Sequence, residues 1–65
     1  MILKLRQERI KRDWKLSDVA EKVGTTKATI QMLETGHRKP SYDVLVKLED
    51  LFHMSHRKLF EEQQE

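Results

Sequence analysis

The stretch Gly24-Thr25-Thr26-Lys27-Ala28-Thr29-Ile30-Gln31-Met32-Leu33-Glu34-Thr35-Gly36-His37-Arg38-Lys39-Pro40-Ser41, GTTKATIQMLETGHRKPS, decides how the chain reads. It starts at a glycine, offers Thr26 as a helix N-cap, and stops at a second glycine before a basic turn. A threonine hydroxyl at an N-cap accepts one of the amide hydrogens that the first turn leaves unpaired. Ile30 and Leu33 are the inward residues of the helix so started, Lys27 to Thr35. Apart from Lys27 and Glu34, its other positions are short or uncharged. A plain solvated helix favours long charged side chains there, so this surface has the composition of one laid against something.

Upstream, Leu16, Val19, Ala20 and Val23 recur at helical spacing and predict a helix over Leu16 to Val23, with Gly24 as its stop. Lys15 sits at its N-cap, where lysine is a poor choice. Only three residues separate the two helices. Ala20 and Gly24 are small enough for a close, steep crossing, which is the helix-turn-helix arrangement whose second helix enters the DNA major groove.

Three further helices flank this pair. The first runs from about Ile2 to Asp13, with Ile2, Leu5 and Arg9 on one face and Leu3 and Ile10 beside them; Trp14 then turns into the core. The fourth spans about Ser41 to His53, opened by Pro40 and carrying Tyr42, Leu45, Leu48, Leu51 and Phe52 as its apolar residues. Ser55 caps a short fifth helix bearing Leu59 and Phe60. No β-branched alternation predicts a strand, and the polar segment from Glu61 to Glu65 reads as a frayed tail after a domain over 1–60. The expectation is an all-α fold with one core of about fifteen side chains.

Composition narrows the function. The chain has 65 residues and no cysteine, which excludes a disulfide framework or thiolate metal site. No segment approaches the roughly 20 apolar residues of a membrane span, and Lys4 and Arg6 interrupt the start before any signal-peptide core forms. By elimination the expected location is the cytoplasm, at the nucleoid by function. Net charge is +2, unevenly spread: residues 1–40 carry +5 and residues 41–65 carry −3. A basic half points to an anionic partner. His53 and His56 flank a helix break and His37 is distant, so no metal is read. No nucleophile–base spacing or paired carboxylate supports an enzyme, and no cofactor or small-molecule ligand is inferred.

The run DVAEKVGTTKATIQMLETGHRKPSYDVLVKLEDLFHMSHRKLF, from Asp18 to Phe60, resembles the λ-repressor-like, Cro/repressor type (XRE) helix-turn-helix family of bacteria and their phages. The shared features occur in order: Ala20 and Gly24 four apart, Thr26, Ile30, then LETG with Arg38 and the following Pro-Ser, and the closing Leu-Phe. The resemblance implies a compact five-helix λ-repressor-like domain with a central helix-turn-helix. It further implies a sequence-specific, double-stranded-DNA-binding transcriptional regulator, repressor in sign.

On the residues themselves, Lys27 can donate to guanine O6 and N7, Gln31 can pair bidentately with adenine, and Ala28 and Met32 can pack on a thymine methyl. The resemblance makes positions 27, 28 and 32 the direct base readers, with Gln31 near bases or backbone. Phosphate candidates are Lys15, Thr26, Thr35, His37, Arg38, Lys39 and Ser41, from hydroxyls, cations and helix starts. The family usually has glutamine at the first position of the second helix. Leu16 stands there, after Lys15 where serine or threonine is usual, so a glutamine clamp on phosphate is missing and Lys15 replaces it as a simple charge. The resemblance also pairs Glu34 with Arg9 of the first helix. A homodimer on a palindromic operator is expected, through the fifth helix and tail as in compact family members. The alternative is a protein-interaction module of the same fold, such as an antitoxin or immunity component.

Overall fold

The structure, a computed structural model, describes residues 2–63. It is a small all-α helix-turn-helix domain of five helices: α1 (Lys4–Lys11), α2 (Leu16–Val23), α3 (Lys27–Glu34), α4 (Tyr42–Phe52) and α5 (His56–Leu59). A two-residue antiparallel ladder joins its ends. β1 (Ile2–Leu3) pairs with β2 (Glu62–Gln63), Ile2 opposite Gln63 and Leu3 opposite Glu62.

That ladder corrects the reading of both termini. Ile2 and Leu3 are extended, not helical, and the Lys4 amide donates to the Glu61 carbonyl at 2.9 Å. Glu61 to Gln63 are thus held by backbone bonds that no local pattern announces; Gln64 and Glu65, the rest of the expected frayed tail, lie outside the described residues. Leu3 is buried beneath the ladder.

Four helices end alike. After α1, Asp13 takes φ 60°, its amide donates to the Ile10 carbonyl at 2.9 Å, and the Trp14 amide reaches back to the Arg9 carbonyl at 3.2 Å. After α2, Gly24 takes φ 73°, its amide donates to the Glu21 carbonyl, and the Thr25 amide reaches back to Ala20 at 2.9 Å. Gly36 repeats this after α3 with φ 77°, its amide on Leu33 and the His37 amide on Met32. Each is a Schellman closure, which needs the left-handed conformation that glycine adopts without steric cost. At the end of α4 the same conformation falls on His53, φ 54°, a residue that enters it less readily.

Helix starts are more varied. Thr26 and Ser41 cap α3 and α4 by accepting from the Thr29 amide at 3.2 Å and the Val44 amide at 3.3 Å. Ser41 is therefore the cap of α4, and Pro40 precedes the helix instead of opening it. Lys15 occupies the N-cap of α2 and has no side-chain acceptor to offer. Asp18 supplies the half that is available, its carboxylate accepting from the Lys15 amide at 2.7 Å. Ser55 sits at the start of α5, yet its side chain makes no cap bond. The Glu49 carboxylate accepts from the His56 amide at 2.7 Å in its place.

All five helices feed one core: Leu5, Val19, Ala20, Val23, Ile30, Leu33, Leu48, Phe52 and Leu59 are buried. Trp14, Leu16, Val44, Leu51, Met54 and Phe60 pack partly buried around them. Trp14 meets Phe52 edge-on, ring centroids 5.5 Å apart, and Lys22 and Arg12 lie against this pair as cations on aromatic faces. Among the described residues three large apolar side chains are exposed: Ile10, by half, Met32 on α3, and Tyr42, 81% exposed at the first position of α4. Arg12 ties α1 to α4. Its guanidinium donates to the Glu8 carboxylate at 2.7 Å, to the Glu8 carbonyl, and to the Phe52 carbonyl at 3.3 Å. A cation at the last carbonyls of α4 complements the negative end of that helix.

Candidate nucleic-acid interface

Helix α3 divides by face. Ile30, Leu33 and Glu34 are buried, while Lys27, Ala28, Gln31 and Met32 are exposed. Positions 27 and 31, and 28 and 32, lie four apart, so the four side chains form one adjoining outward patch. Among the described residues, neither Lys27 nor Gln31 spends its side chain on an intramolecular bond. The patch offers one cation, one amide with donor and acceptor, and two apolar groups.

The inward edge of α3 is fixed by Glu34. Arg9 of α1 grips it with two bonds, Nε to Oε2 at 2.7 Å and Nη2 to Oε1 at 3.2 Å, and gives a third from Nη1 to the Trp14 carbonyl at 2.9 Å. Glu34 is 3% exposed and Arg9 12%. The fork-to-carboxylate geometry neutralises the acid and sets the axial position of α3 against α1. The acid is thereby kept off the exposed surface of α3.

Around α3 stand the remaining sequence-predicted residues. The Thr26 hydroxyl is already engaged, on the Thr29 amide and the Thr29 hydroxyl at 2.9 Å. The Thr35 hydroxyl donates to the Gln31 carbonyl at 3.0 Å. Its oxygen also lies 2.7 Å from His37 Nδ1, the imidazole tautomer setting which of the two donates. Thr35 thus orients His37 at the start of the basic turn. Arg38 and Lys39 follow, both exposed and, among the described residues, without ion pair or hydrogen bond. Ser41 is exposed while its hydroxyl caps α4. Lys15 is exposed at the start of α2, and its backbone bond goes to Asp18, not to any of the α3 group.

Tyr42, like Ile10, lies outside the core, where the sequence reading placed it among apolar helix residues. Counted as part of the apolar face of α4, it stands at the first helical position, where the side chain projects away from the core.

A family model described as helix-turn-helix matches residues 5–59. The chain belongs to the XRE family of helix-turn-helix proteins. It is also similar to the HTH-type transcriptional regulator AnsR of Bacillus subtilis (strain 168), with 39% identity over 49 residues. That match covers 75% of this chain and 42% of the relative, so the chain spans less than half of the relative's length. In this XRE-family chain the helix-turn-helix is α2 and α3, joined through the Schellman turn at Gly24. Among the described residues no helix is long and apolar enough to cross a membrane.

Proposed function

We propose that this chain is a sequence-specific double-stranded-DNA-binding transcriptional regulator, a repressor that acts by occupying its operator without chemistry. The observation that carries this reading is the outward patch of α3: Lys27, Ala28, Gln31 and Met32, exposed on a helix whose opposite side is locked by the core and by Arg9–Glu34. Family membership and the similarity to a protein named a transcriptional regulator support it.

In this reading α3 lies in the major groove, which is wide enough for one helix. Lys27 and Gln31 read donors and acceptors on base edges; Ala28 and Met32 pack on thymine methyls. Lys15, His37, Arg38 and Lys39 contact phosphates, joined by the O–H groups of Thr26 and Ser41, whose oxygens accept the capping amides, and by the Thr35 hydroxyl once its proton turns from the Gln31 carbonyl. The Tyr42 and Asp43 amides, which donate to nothing among the described residues, face a phosphate at the start of α4. The protein works as a homodimer on a palindromic site, with half-sites about 34 Å apart.

Selection of bound sites from random duplexes, followed by footprinting, tests the reading. The expected outcome is an inverted repeat with half-sites about one helical turn apart. Affinity is expected to fall by close to one log unit per log of salt for each phosphate neutralised. A chain that enriches no sequence and binds duplexes without salt dependence overturns it.

A further inference from the structure

We propose that the groove between the α3–α4 connection and α5 binds a single-chain aliphatic carboxylate. The groove measures about 440 Å³, within the size range of small-ligand sites. Its floor is apolar, built from Leu3, Pro40, Leu45 and Phe60, and its rim carries Arg38 and Lys39. Neither cation has a carboxylate partner among the described residues, and no acidic side chain lines the groove. His56 also stands on the wall, but its amide and ring are both engaged by Glu49, at 2.7 and 2.9 Å, so it is not counted as a free cation.

Unpaired cations above an apolar floor complement one kind of molecule: an acyl tail with an anionic head. The tail removes the floor from water, and the guanidinium fork of Arg38 matches a carboxylate with two parallel bonds. A second copy of the chain is a weaker occupant. A stable protein interface needs roughly 800 Å² from each partner, far more than a groove bounded by these few side chains supplies.

The consequence rests on the function proposed above. Arg38 and Lys39 are the same groups assigned there to phosphates, and a guanidinium engaged by a carboxylate is lost to the DNA backbone. Ligand and duplex therefore oppose each other reciprocally, as linkage requires. The groove places an anionic effector site within the helix-turn-helix domain itself.

The test titrates isotope-labelled protein with sodium dodecanoate below micelle formation and follows the amide resonances. Saturable shifts are expected at Gly36, Leu45 and Phe60. Acetate, which lacks the tail, and dodecyltrimethylammonium, which inverts the head charge, are expected to produce none. Arg38→Ala combined with Lys39→Ala alters two exposed residues and is expected to keep the melting temperature while weakening dodecanoate binding about tenfold or more. Dodecanoate is also expected to release a selected duplex from the unaltered protein. The site is refuted by absent or unsaturable shifts, by equal binding of the cationic amphiphile, by undiminished binding in the double variant, or by a dimer in sedimentation that excludes dodecanoate. Saturable binding that leaves a bound duplex in place refutes the antagonism. If no duplex is bound at all, the regulator reading falls, and the dodecanoate titration still decides the groove.

Discussion

On its inner side α3 sets Ile30 and Leu33 into the core and closes Glu34 under Arg9; on its outer side Lys27, Ala28, Gln31 and Met32 are exposed and, among the described residues, make no side-chain hydrogen bond or ion pair. The two sides are at most a helix diameter apart, yet they answer to different requirements. The inner side is over-determined: packing, a two-bond ion pair and a Schellman closure at Gly36 all fix the same helix position. The outer side carries no structural duty, so its residues are free to be chosen for a partner. A rigid helix with an uncommitted surface is what positioning side chains against base edges requires.

The comparison breaks hardest at Glu34. Glu34→Ala leaves the Arg9 guanidinium buried against α3 without its carboxylate. The expected cost is about 3 kcal/mol or more, read as a lowered midpoint in denaturant unfolding. A midpoint unchanged within error contradicts a structural role for the inner side. Lys27→Ala or Gln31→Ala acts in the opposite sense: stability within about 0.5 kcal/mol of the parent, but a change in selected sequence at one or two base pairs, worth roughly 1–3 kcal/mol of discrimination each. If site preference is unchanged by both, the outer side does not read bases.

Thr26→Ala probes the junction of the two sides. It removes the cap of α3 and is expected to cost about 1 kcal/mol of stability. Because the same hydroxyl is assigned a phosphate, duplex affinity is expected to fall further than the stability loss explains; Thr26→Ser, which keeps the hydroxyl, recovers both. The smallest expected effect is on pH dependence, away from α3. Glu8 is held below the ordinary glutamate value of 4.5, chiefly by its bond from Arg12, and Glu49 likewise, chiefly by the His56 amide. A depressed carboxylate stabilises the fold fully above that ordinary value and loses its contribution as pH falls through the depressed one. Thermal stability is therefore expected to decline below about pH 4.5, and Glu49→Gln to flatten part of that decline.

The local parts of the fold were legible because their signals lie within a few residues of the feature they control. Gly24 and Gly36 mark their own turns, Thr26 its own cap, and the spacing of Val19, Ala20, Val23, Ile30 and Leu33 its own buried face. The outward residues of α3 followed from the same periodicity. Glu34's partner did not: Arg9 lies 25 positions away, and only family resemblance suggested it.

The amino-acid sequence by itself determined five helices, the stops between them and which side of α3 is left outside, since each depends on backbone preference and apolar spacing over one or two turns. Tertiary structure alone decided the pairing of Ile2 and Leu3 with Gln63 and Glu62, the seat of Arg12 on the Phe52 carbonyl, the exposure of Tyr42, and the meeting of Leu3, Arg38 and Phe60 around one groove. Most of these join residues far apart in the chain. A bond between distant positions forms only after packing has paid the entropy of bringing them together, and no local pattern records it.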